Sequence, residues 1–115
     1  MRHRAIAGLL AALLAALLAS TAFAAESGKD IVFNRSQGNC LACHGLPTQP
    51  DAEQTGNSGP PLIAMQARFP DKAVMRAKIW DAGASNPETI MPPIGKHQVL
   101  TEEEIDKVVD FLYGL

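Results

Sequence analysis

Apolar and polar positions follow a helical period in three places along this chain, and nowhere a usable two-residue alternation of the kind a strand needs. The clearest pattern lies near the C-terminus. Ile105, Val108, Val109 and Leu112 recur at i, i+3, i+4 and i+7 and predict one apolar stripe. Thr101-Glu102-Glu103-Glu104 marks its start as a capping box: the Thr101 hydroxyl takes a free backbone N–H, Glu104 reaches back, and Leu100 and Ile105 stand at staple positions. The three glutamates suit the positive end of the helix dipole, and Gly114 stops the helix. A second helix is expected over residues 71–82, where Pro70 suits the first turn, Ala73, Ala77 and Trp80 share one face, and Gly83 ends it. A third is expected over residues 28–34, capped by Ser27 or Gly28 and carrying Ile31, Val32 and Phe33. A shorter helical turn fits residues 62–68.

The helices are separated by two long stretches, 45–61 and 83–100, rich in proline and glycine. Loops of that length without structure of their own usually have a functional reason. The expected class is therefore all-α, with long loops available to wrap a bound group.

The N-terminus reads differently. Met1-Arg2-His3-Arg4 is basic, residues 5–19 are uncharged and apolar, and Ala22-Phe23-Ala24 is a small-residue cleavage pattern. That order describes a secretory signal peptide over residues 1–24, leaving one domain over residues 25–115 and implying a periplasmic protein. The uncharged run is also long enough for a retained membrane anchor, which takes about 20 residues. Removing Arg2 and Arg4 from the 10 basic residues leaves 8 against 12 acidic ones, a formal charge of −4. That is no electrostatic footprint for nucleic acid. So small a domain buries only about 60–65% of its unfolded surface, and normally needs a disulfide, a metal or a large cofactor as a staple.

The two cysteines bear on that need. Cys40-Leu41-Ala42-Cys43-His44 is the C-x-x-C-H signature of covalent haem attachment. Two thiols can add across the two vinyl groups of haem as thioethers, and the spacing leaves His44 beneath the iron as proximal ligand. A thioredoxin-like redox pair needs a βαβ context that this chain lacks. A zinc site needs a second Cys or His pair that is also missing. A plain disulfide is the remaining alternative.

The sixth iron position points to Met91. It lies in Thr89-Ile90-Met91-Pro92-Pro93, where two prolines restrict the backbone and limit the entropy lost in holding a sulfur on iron. Met65 and Met75 fall in helical segments, where methionine usually fills core. His97 is a lone loop histidine. A carbonyl of the turn Gly59-Pro60-Pro61, best Pro60, could accept the Nδ1–H of His44, a partner that metal-ligating histidine usually has. Trp80 could pack on haem or in the core, and Tyr113 is expected to pack across the first helix near Gly28. Arg35, Arg68 and Lys96 are candidates for haem propionates. With both thiols used and the iron six-coordinate, no catalytic residue is expected; the chain reads as an electron carrier.

These residues carry a resemblance. The C-x-x-C-H motif, Gly59-Pro60-Pro61-Leu62 and a methionine loop before a C-terminal helix look like class I monohaem cytochromes c, over nearly all of residues 26–115. The ordered set Gly38-Asn39-Cys40-Leu41-Ala42-Cys43-His44, Gly56-Asn57-Ser58-Gly59-Pro60-Pro61-Leu62, Ile79-Trp80-Asp81, Asn86-Pro87, Met91-Pro92-Pro93-Ile94-Gly95 and Val109-Asp110-Phe111-Leu112-Tyr113 resembles the SoxX family more closely. The resemblance implies a class I cytochrome c-like fold of three to four helices around one haem. It implies thioether attachment through Cys40 and Cys43, with His44 and Met91 as axial ligands. It further implies a heterodimer with a larger SoxA-type haem subunit. That complex is an L-cysteine S-thiosulfotransferase, which oxidatively joins thiosulfate to a cysteine of the SoxYZ carrier and passes electrons to another cytochrome c. The alternative is a freely diffusing periplasmic cytochrome c of respiration.

Overall fold

The computed structural model describes residues 25–115; the expected leader over residues 1–24 lies outside them. Among the described residues four α-helices follow in order: α1 Gly28–Phe33, α2 Met65–Arg68, α3 Lys72–Trp80 and α4 Glu102–Tyr113. Two 3₁₀ turns, Cys40–Ala42 and Ala82–Ala84, interrupt the loops. No strand occurs among the described residues, and none of their helices is long and apolar enough to cross a membrane.

The helix starts follow local chemistry. Ser27 caps α1 in a capping box with Asp30, and Thr101 does the same for α4 with Glu104. Asp71 caps α3 by accepting the Ala73 N–H at 2.8 Å, so Pro70 stands just outside the helix. α3 also ends earlier than expected, at Trp80. Gly83 falls inside the following 3₁₀ turn, because Ala84 N–H donates to Asp81 and Ser85 N–H to Ala82, tightening the chain.

The core forms where α1 and α3 cross α4. Ile31, Val32, Ile105, Val108, Val109 and Leu112 are buried together with Leu46, Leu62, Met65, Met75, Ile79 and Leu100. The α4 stripe is as expected, and so is Met75 in the core. Met75 and Ile79 point inward, whereas Ala73 and Ala77 are exposed and Trp80 is half-buried. Three salt bridges lie over that crossing: Lys72 with Asp110, Arg76 with Asp106 at 2.6 Å, and Arg76 with Glu102 at 3.1 Å. Burial of Met75 and Ile79 turns the alanines outward, and the exposed bridges span the edge of the crossing.

Tyr113 departs from its expected place. A Cβ on Gly28 would stand 1.9 Å from the Lys107 carbonyl oxygen and 3.0 Å from Phe111 Cβ. The close crossing of α1 and α4 is real, but Lys107 and Phe111 make it. Tyr113 faces α3 instead. Its hydroxyl donates to the Pro70 carbonyl at 3.0 Å, and the Lys72 ammonium lies 5.3 Å from its ring centroid.

Candidate haem site

Asn39 opens the site. It adopts the left-handed conformation, φ 50°, which asparagine tolerates better than most residues, and its N–H donates to Asn34 just beyond α1. The chain then turns through Cys40–Ala42. The N–H groups of Cys43 and His44 both donate to the Cys40 carbonyl, at 3.2 and 3.0 Å. One short turn thus brings both cysteines and His44 together.

The long loop folds back onto that turn. The N–H groups of Gly56, Gly59 and Leu62 donate to the carbonyls of Leu41, Cys43 and Gly45 at 2.7, 2.8 and 2.8 Å. Lys29 holds Asp51 at 2.8 Å and Arg35 holds Gln54 at 3.1 Å. Sequence reading missed this ladder; the spaced glycines 56 and 59 were its signal, since side chains there would block the approach.

The His44 ring is fixed on two sides. Nδ1 lies 2.7 Å from the Pro60 carbonyl oxygen. A carbonyl only accepts, so Nδ1 carries the hydrogen, and in the neutral ring Nε2 keeps the lone pair that binds a metal. Gly59 lies flat against the ring: a Cβ there would stand 2.5 Å from Cε1, 2.7 Å from Nδ1 and 2.9 Å from Nε2. Arg68 supports the turn from α2 by donating to the Pro61 carbonyl at 2.8 Å.

Cys40 and Cys43 are free thiols, both half-buried. Burial pushes the Cys40 thiol up to about 11. Among the described residues no three His, Cys, Asp or Glu side chains converge as metal ligands. Two unpaired thiols one turn apart and a histidine with a fixed Nδ1–H are the donor set that haem c requires, and the cradle of Gly59 and Pro60 fits it.

Met91 comes from the loop between the Ala82–Ala84 turn and α4. It is half-buried at the edge of the core, and its N–H donates to Thr89 Oγ1 at 3.1 Å. Met65 and Met75 lie inside the core at 4% and 2% exposure, and His97 is exposed. The basic candidates have protein partners: Arg35 with Gln54, Arg68 with Pro61, and Lys96 with Asp81 at 2.9 Å. Trp80 packs at the core edge against Gly95.

An all-α domain with this turn and this histidine cradle is a class I c-type cytochrome, an electron-transfer domain whose cofactor is haem c. The chain belongs to the family described as cytochrome c oxidase, cbb3-type, subunit III, which matches residues 23–112. It is also similar to a chain of the crystal structure of SoxXA from P. pantotrophus, with a TM-score of 0.69 and 26% identity over 75% of this chain and 77% of that one. The near-equal coverages mean two chains of near-equal length, and the likeness supports a SoxX-like cytochrome. Among curated proteins no sequence matches significantly.

Proposed function

We propose that this chain is the electron-transfer subunit of a SoxAX-type complex. In this reading it takes up electrons when thiosulfate is oxidatively joined to a cysteine of a SoxYZ-type carrier. The supporting observation is the likeness to a SoxXA chain across three quarters of both proteins. Joining a thiol to thiosulfate forms one S–S bond and releases one proton and two electrons. The thiols of this chain are committed to cofactor attachment, so the sulfur chemistry belongs to a larger SoxA-type partner, and this chain relays charge to another cytochrome c. Export by the 1–24 leader places the mature chain, residues 25–115, in the periplasm.

Haem c, one per chain, supplies a reversible one-electron couple when bound. Cys40 and Cys43 would hold it as thioethers, and His44 Nε2 and the Met91 thioether would supply the ligands to its iron. The Pro60 carbonyl keeps the Nδ1–H in place and makes Nε2 a stronger donor. A histidine and methionine ligand pair would raise the reduction potential, as an electron acceptor requires.

The family description names an oxidase subunit, which supports a respiratory role; the second reading is therefore a freely diffusing periplasmic cytochrome c that shuttles electrons in respiration. Co-purification from the periplasm separates the two. The proposal expects a larger haem protein to accompany this chain and thiosulfate to reduce its haem. A monomer that no extract reduces with thiosulfate rejects it.

A further inference from the structure

The loop that carries Met91 is fastened to the end of α3. Trp80 is the last residue of that helix, so its carbonyl has no helical partner. The N–H groups of Gly95 and Lys96 both donate to it, at 3.2 and 3.1 Å. Lys96 also pairs with Asp81 at 2.9 Å. Gly95 is buried so tightly against the indole that a Cβ would stand 2.1 Å from Cε3, 2.5 Å from Cδ2 and 2.8 Å from Cζ3. The indole is itself held: the Arg76 guanidinium lies 5.9 Å from its centroid, and α4 holds Arg76 through Asp106 and Glu102.

The loop is stiff beyond that contact. The N–H groups of His97, Gln98 and Val99 donate to Pro93, Gly95 and Ile94, each at 2.9 Å, so residues 93–99 move as one unit. Pro92 and Pro93 have fixed φ and join that unit directly to Met91.

We propose that Trp80 and Gly95 form the positioning pair for Met91. The indole sets how deeply the loop can seat, and the Trp80 carbonyl sets its register, so together they hold the Met91 sulfur at the iron. This rests on Met91 as the distal ligand.

The test uses the haem-loaded chain, matured in cells, in its ferric form. The weak sulfur-to-iron charge-transfer band reports the methionine bond, and titration with imidazole reports how readily an outside ligand displaces it. Gly95→Ala and Trp80→Leu are expected to bleach the band and tighten imidazole binding by about ten-fold or more, the scale on which supporting residues act on metal ligands. Trp80→Phe, which keeps a flat ring, is expected to stay within about three-fold. Should Gly95→Ala fail to accumulate, Trp80→Leu decides alone. Band and imidazole affinity unchanged in Trp80→Leu overturn the positioning pair, provided that Met91→Ala loses the band. A Met91→Ala variant that keeps the band overturns the ligand reading itself.

Discussion

Replacing Gly59 by alanine tests the histidine cradle directly. The new methyl would stand 2.5–2.9 Å from three atoms of the His44 ring, whereas ordinary contact begins at 3.4 Å. The ring must therefore retreat by roughly 0.9 Å, or the turn must, at an overpacking cost of about 1–3 kcal/mol. The ring cannot retreat freely. Its Nδ1 is 2.7 Å from the Pro60 oxygen, and a retreat of that size breaks the bond, at about 1 kcal/mol more. The turn resists too, because two prolines stiffen it and Arg68 holds the Pro61 carbonyl. The expected loss is about 2–4 kcal/mol, which lowers the melting temperature of so small a domain by at least about 8 °C. Thermal unfolding of the haem-loaded protein, followed at the Soret band, measures it. A Gly59→Ala variant that melts within about 2 °C of the parent shows that the ring is not confined as described.

Gly28→Ala should cost about 1–3 kcal/mol in urea unfolding, since the methyl meets the Lys107 carbonyl at 1.9 Å; an unchanged midpoint would mean the helices are free to part. Ile105→Ala, at a wholly buried position, should cost about 2–5 kcal/mol, and a loss below about 1 kcal/mol would place that side chain outside the core. Thr101→Ala removes the α4 cap and should cost about 1 kcal/mol by the same measurement. Acid should destabilise the fold in a defined window. Ser27 holds the Asp30 carboxyl below its usual 3.8, Lys29 does so for Asp51 and Lys96 for Asp81, and the Thr101 N–H holds Glu104 below 4.5. Folded values that are depressed add stability fully present above the unfolded values and lost as pH falls through the folded ones. The urea midpoint should therefore be level above about pH 5 and fall below about pH 4.5, with a shallower fall in Glu104→Gln.

Much of the site was legible because its signals are local. The C-x-x-C-H spacing and the Thr101 capping box depend on residues a few positions apart, whereas the choice of Pro60, 16 residues from His44, rested on the need of one ring N–H for an acceptor. What escaped reading depended on distant partners. The sequence showed that Ala73, Ala77 and Trp80 share a face of α3 and that Met75 suits a core, but not that Arg76 and Lys72 would reach acids on α4. Tyr113 was misplaced for the same reason: its position near Lys107 and Phe111 on the helix gave no sign that Pro70 and Lys72 would claim it. Likewise, the contact between Gly95 and Trp80 joins residues that look like an ordinary loop glycine and an ordinary core aromatic.

The two segments that carry the proposed ligands hang from different helices. The His44 turn leaves α1, tied to its end by Asn39 on Asn34 and steadied by Gln37 on Glu104 at 2.7 Å. The Met91 loop is tied to the end of α3 through Trp80. Both helices pack on α4, so the separation between the proposed ligands is set by two crossings: α1 with α4 at Gly28, and α3 with α4 at the Arg76 salt bridges. Packing in such crossings is close and relaxes only in part, so a shift of one helix reaches the ligand it carries. Glycine stands where α1 crosses α4 because a Cβ there would meet the Lys107 carbonyl oxygen at 1.9 Å, so any larger residue would push the two helices apart.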